Sequence, residues 1–125
     1  FKGFDFLVPV PMHPKKRRKR GFNQAEVMAR EISGRSGIPL APGMLLRVKD
    51  TPPMSGLGPR SRAKSIEGAF ALNKKGFEIE NKKICLADDI FTTGATLNEC
   101  AKTLREGGAA EIRCATFAVA VKNFV

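Results

Sequence analysis

The chain has 125 residues, the length of one domain, and its 42% hydrophobic content is enough for one buried core. No apolar run approaches the roughly 18–20 residues needed to cross a bilayer, and no charged-then-apolar leader opens the chain, so the expected location is cytoplasmic, with no membrane partner. A net charge of +10 favours anionic partners, polyphosphate or nucleic acid, without choosing between them; with no Tyr or Trp, a base-stacking platform would rest on Phe alone.

Residues 4–10 (FDFLVPV) read as a short apolar strand closed by Pro9 and Pro11. A basic loop follows at residues 12–21 (MHPKKRRKRG), in which Lys15, Lys16, Arg17, Arg18, Lys19 and Arg20 run unbroken. Asn23 and Glu26 then have capping-box spacing, with Asn23 as the N-cap. Ala25, Met28, Ala29 and Ile32 continue one apolar helical face, and Gly34 is the expected stop. Residues 44–48 are a candidate strand. Residues 50–65 (DTPPMSGLGPRSRAKS) lack an apolar period and read as a long loop, a kind of segment that often carries function. A return strand is expected at residues 69–72.

Residues 84–87 (ICLA) form a continuous apolar run, as in a strand buried on both faces of a parallel sheet, and Asp88-Asp89 ends it. Thr96 and Glu99 suggest a second capping box. Leu97, Cys100, Ala101 and Leu104 continue that helix to Gly107-Gly108, and residues 112–121 form the last strand. This order predicts a single α/β domain over residues 1–125, with a mainly parallel sheet flanked by helices. Cys85, Cys100 and Cys114 form no CxxC pair, which argues against a zinc ribbon or a dithiol motif, and each lies in an apolar segment as a small hydrophobe. Phe6, Phe70 and Phe117 fall in strands and read as core, whereas Phe22 and Phe91 flank candidate loops as walls of a site.

The informative stretch is residues 84–96 (ICLADDIFTTGAT). Ligands of open α/β sheets bind beyond the carboxyl ends of the strands. A helix start offers free N–H groups and positive potential to a phosphate, and a glycine lets the backbone approach it. Thr92, Thr93 and Thr96 add hydroxyl donors around Gly94 and Ala95, while Asp88 and Asp89 can accept bonds from vicinal sugar hydroxyls. A helix cap accounts for one threonine; it does not account for two acids, three threonines and a glycine within nine residues. The stretch lacks the Gly-Lys-Ser/Thr of a Walker loop and the GxGxxG of a dinucleotide site.

Residues 84–96 resemble the phosphoribosyl-diphosphate (PRPP) motif of type I phosphoribosyltransferases. Residues 8–29 (VPVPMHPKKRRKRGFNQAEVMA) and 57–70 (LGPRSRAKSIEGAF) resemble the ComF competence branch of that family. The resemblance implies the phosphoribosyltransferase fold, binding of PRPP or a nucleoside monophosphate with Mg²⁺, and release of pyrophosphate. By position it implies Asp88 and Asp89 on the ribose hydroxyls, and Thr92, Thr93, Gly94, Ala95 and Thr96 on the 5-phosphate. It puts Arg20 and Gly21 in the pyrophosphate loop, and residues 52–64, with Arg60, Arg62 and Lys64, in a mobile catalytic loop. The family's zinc-binding leader and early strand and helix have no counterpart here. With Phe1 in place of Met, that predicts truncation at the N-terminus.

His13, the only histidine, reads as structural or exposed before catalytic. No metal-ligand cluster and no nucleophilic residue is expected, in keeping with direct displacement at C1. Two other readings stay open: a non-catalytic PRPP or nucleotide sensor, and a DNA-uptake (competence) factor whose basic loop touches nucleic acid. A homodimer is compatible with the sequence, which leaves the oligomeric state and the accepting nucleophile undetermined.

Overall fold

The computed structural model describes residues 3–51, 56, 58–91 and 94–119. Its centre is a three-stranded parallel sheet in the order β1-β4-β5, formed by β1 (Phe6–Pro9), β4 (Lys83–Phe91) and β5 (Glu111–Val119). Phe6 pairs with Ile84 and Pro9 with Ala87, while Lys83 pairs with Glu111 on the other side. All three strands therefore end at the same edge. A bridge between Leu7 and Leu40 adds one more parallel contact outside β1.

The unbroken apolar run of β4 has a direct cause. Ile84 and Leu86 enter a core with Val8, Leu97, Cys100 and Leu104, whereas Cys85 and Ala87 enter a second core with Leu7, Ala29 and Ile38. Helix α4 (Ala95–Glu106) covers the first face and α2 (Gln24–Ser36) the second. A central strand covered on both sides has no solvent face on which to alternate. On the α4 side sits a small antiparallel ribbon of β2 (Leu45–Arg47) and β3 (Phe70–Leu72), with Arg47 opposite Phe70. Phe6 meets Phe77 edge to face at 6.4 Å, and Phe70 is buried. The side chains of Phe91 and Phe117 lie outside the described part.

Several local expectations are corrected. The basic stretch is not a loop but a two-turn helix, α1 (Pro14–Arg20). Pro14 presets its first turn, His13 Nδ1 accepts from Lys15 N at 3.1 Å, and Gly21 closes it at φ 94° by donating its N–H to Arg17 O. It buries nothing, which is why no apolar period betrayed it; Arg17 ties it to α2 through both oxygens of Glu26, at 3.2 and 3.0 Å. That pairing takes the Glu26 carboxylate from the expected capping box, although Asn23 caps α2 as anticipated, accepting from Ala25 N at 3.1 Å. Helix α2 runs through Gly34 and stops at Gly37.

The expected loop of residues 50–65 contains helix α3 (Pro59–Ile66), with Pro59 in its first turn and Ile66 buried in the core. Residues 52–55 and 57 are outside the described residues. Strand β4 does not end at the acid pair but continues to Phe91. At the start of α4 the N-cap is Gly94, without a side-chain cap; Glu99 instead accepts the Gly68 N–H at 3.1 Å. Cys85 and Cys100 are buried thiols, whereas Cys114 is exposed. No described helix is long and apolar enough to cross a membrane.

Candidate functional site

Parallel pairing of β1 with β4 puts the chain leaving β1 beside the carboxylates late in β4. The result is a cleft of about 230 Å³ lined by Asp88 and Asp89 from β4, His13, Lys16 and Arg20 from the α1 segment, and Arg47 from β2. Pro11, Met12, Asn23 and Gln24 complete it. Buried Asn23 steadies this wall, since its Nδ2 donates to Val10 O at 3.0 Å while its Oδ1 caps α2.

The acids are not alike. The Asp89 N–H donates to Asp88 Oδ1 at 2.9 Å. Burial, then the hydrogen bond to the Asp89 carboxyl and its charge, push the Asp88 carboxyl from 3.8 up to about 7, against the pull of the Asp89 N–H and the Arg47 guanidinium. Near neutral pH the Asp88 carboxyl therefore exchanges a proton readily, a property common at functional sites. Arg47 is itself shifted down by burial, offset in part by the charges of Asp50 and Asp88.

The structure brings Asp88, Asp89 and Arg20 together. Gly21 lines a second, adjoining cleft of about 700 Å³. Gly94 takes φ 81°, which favours glycine, and its carbonyl accepts the first bond of α4 from Asn98 N at 2.8 Å. Gly94, Ala95 and Thr96 start α4 but are not among the residues lining the acid cleft, and Thr92 and Thr93 lie outside the described residues. Arg60, Arg62 and Lys64 line neither cleft: they sit on α3, which packs on α4, and Arg62 is buried. Phe22 is exposed and also absent from both linings.

Sequence reasoning missed Arg47. It belongs to no motif, and its three-residue strand gave only a weak signal. Lys16 was one cation among six, yet its position is particular: its Nζ donates to Thr51 O at 3.2 Å while it lines the cleft.

Comparison with known proteins places these features. The phosphoribosyl transferase domain family matches residues 18–122. Competence protein F of Haemophilus influenzae is 36% identical over 107 residues, covering 86% of this chain and 47% of that protein. DNA utilization protein YhgH of Salmonella typhi is 28% identical over 109 residues, covering 87% and 47%. The chain thus spans about half the length (47%) of these curated relatives. Among solved structures, the allosteric regulatory enzyme of purine biosynthesis superposes with a TM-score of 0.59 at 20% identity, covering 90% of this chain and 22% of that one, a likeness of fold.

Proposed function

The chain belongs to the phosphoribosyl transferase domain family, in its competence-protein F branch, and from that premise we propose that it binds PRPP with Mg²⁺ and transfers the phosphoribosyl group to a nucleophile. The observation that carries the reading is the acid pair at the carboxyl edge of the central strand, in a cleft faced by Lys16, Arg20 and Arg47. In this reading Asp88 and Asp89 accept hydrogen bonds from the ribose 2- and 3-hydroxyls. Arg20, next to Gly21, takes the diphosphate, and residues 92–96 hold the 5-phosphate.

Displacement at C1 balances simply. A lone pair of the nucleophile forms the new bond to C1 as the C1–oxygen bond breaks. Pyrophosphate leaves with that electron pair, and the nucleophile's proton passes to solvent. Positive charge grows on the sugar beside the carboxylates and negative charge on the leaving group beside the cations, so the side chains act by positioning and charge stabilisation. The hard carboxylate oxygens of Asp88 and Asp89 suit Mg²⁺. Among the described residues no three metal-ligating side chains form a cage, so the ion would be held mainly by ligand oxygens and water, where it neutralises phosphate charge. The proposed compartment is the cytoplasm, where free thiols such as Cys85, Cys100 and Cys114 persist.

The test is calorimetric titration of PRPP with Mg²⁺ into the wild type and into a double variant, Asp88→Asn with Asp89→Asn, followed by a pyrophosphate-release assay across candidate bases. Binding and release that vanish in the variant support the assignment; unchanged affinity refutes it. A second reading rests on a separate observation: α1 carries six consecutive cations and buries none of its residues, and relatives carry the names competence protein and DNA utilization protein. In that reading α1 contacts nucleic acid phosphates, with binding that weakens steeply with salt and survives loss of the acid pair.

A further inference from the structure

We propose that this chain self-associates head to tail: the basic corner where α1 meets α2 on one copy docks into an acid-rimmed apolar groove at the opposite edge of the next. The groove is remote from the acid pair, and its role is independent of the PRPP reading.

The groove forms where the β2-β3 ribbon crosses the C-terminal end of α4. Two clefts of about 630 and 350 Å³ share Leu72, Lys74, Glu106 and Gly107, so they run into one another. Gly107 permits the crossing, because a Cβ there would overlap Leu72 Cδ1. Half-buried Leu72 and Phe77 leave apolar surface along the floor. Around them Glu67, Glu78, Glu80, Glu99 and Glu106 outnumber Lys74 and Lys102, a local reversal of sign in a chain of net charge +10. Glu99 already accepts the Gly68 N–H. Glu67, Glu78, Glu80 and Glu106 are exposed, and none forms an ion pair with a described residue. Such a groove favours an occupant that carries both cations and apolar side chains.

The molecule itself bears that surface. Lys15 and Lys19 lie one turn apart on α1, line neither cleft near the acid pair, and have no carboxylate within 4.0 Å among the described residues. Phe22 and Val27 follow, at the spacing of a hydrophobic staple around the Asn23 cap. They are nonetheless left in solvent, Phe22 at 46% and Val27 at 50% exposure. Helix α1 follows the carboxyl end of β1, whereas residues 77–82 and 106–108 lead into the amino ends of β4 and β5. The corner and the groove thus lie at opposite edges of the parallel sheet, so each copy offers one to each neighbour, a heterologous contact. Copies of like net charge repel, but at physiological salt that repulsion is screened beyond about 8 Å, while docked pairs are in contact.

The test is sedimentation velocity on the whole protein, freed of nucleic acid by nuclease and high-salt washing, over a range of concentrations. The expected result is association that exceeds the mass of a dimer and weakens about tenfold or more between about 0.15 M and about 1 M salt. Neutralising the corner, Lys15→Gln with Lys19→Gln, or the groove, Glu80→Gln with Glu106→Gln, should each weaken it about tenfold or more, and Phe22→Ser should weaken it as well. Generic repulsion predicts the opposite for the corner variant, whose net charge is lower. The substituted side chains are exposed; thermal melts check the fold, and either surface carries the test if the other variant fails to fold. An equimolar mixture of the corner and groove variants should form a complex that stops at one copy of each, since one intact groove and one intact corner remain. A wild type that stays monomeric or stops at a dimer, association that both variants leave unchanged, or a mixture that forms no complex overturns the proposal. Assembly that disappears on nuclease treatment overturns it too, and assigns α1 to nucleic acid phosphates instead.

Discussion

Replacing Asp88 with Asn should make the protein more stable and deprive it of its proposed ligand. The native carboxyl is shifted from 3.8 to about 7, chiefly by burial, so the folded state holds a proton that the unfolded chain releases. Stability from this group is fully present below about pH 4, falls as pH rises through about 7, and is level above that. About three pH units at 1.4 kcal/mol each set a ceiling near 4 kcal/mol for the cost of the charge at pH 8. Solvent reaches part of the carboxylate, and Lys16, Arg20 and Arg47 would lose a counter-charge, which brings the expected gain to about 2 kcal/mol. Asn keeps an oxygen for the Asp89 N–H that Asp88 Oδ1 now accepts. For a chain of 125 residues that gain raises the melting temperature by about 8 °C. Thermal or urea melts of both proteins at pH 4.5 and pH 8 check this. The difference should appear at pH 8 and shrink to within about 0.5 kcal/mol at pH 4.5. A variant no more stable than wild type at pH 8, or equally stabilised at both pH values, would refute the argument from burial.

Asn23→Ala removes both the α2 cap and the bond to Val10 O and should cost about 2 kcal/mol in a urea melt, loosening the cleft wall as well. Gly107→Ala needs no unusual backbone angle, yet its methyl would overlap Leu72 Cδ1 and press on Leu104 O. A loss of about 1–3 kcal/mol is expected, and a neutral result in the same melt would show that the ribbon moves aside. For the nucleic-acid reading, Lys15→Gln with Lys19→Gln should reduce the slope of log affinity against log salt by about 2 on duplex DNA, measured by fluorescence anisotropy; an unchanged slope would take α1 out of the interface.

Much of the architecture was legible because burial writes a period into sequence. The ICLA run announced a strand covered on both faces, and the faces of α2 and α4 carried helical spacing. Asp88-Asp89 and the Thr- and Gly-rich residues after it are the local sequence on which the proposed sugar-phosphate site rests. Helix α1 was hidden because it buries nothing and is held by Pro14, His13, Gly21 and one ion pair instead of a core. Helix α3 was hidden by a stretch rich in Pro, Gly and Ser, and only contact with α4 and burial of Ile66 give it a reason to form. Arg47 could not be found along the chain at all. Its environment is assembled from Thr51, Phe70, Asp88 and the end of β1, brought together by parallel pairing and a folded-over ribbon. Side-chain type and spacing thus determined which chemistry the chain can offer, while the meeting of segments distant in sequence decided which cations face the acids, because charge acts through space and leaves no periodicity behind.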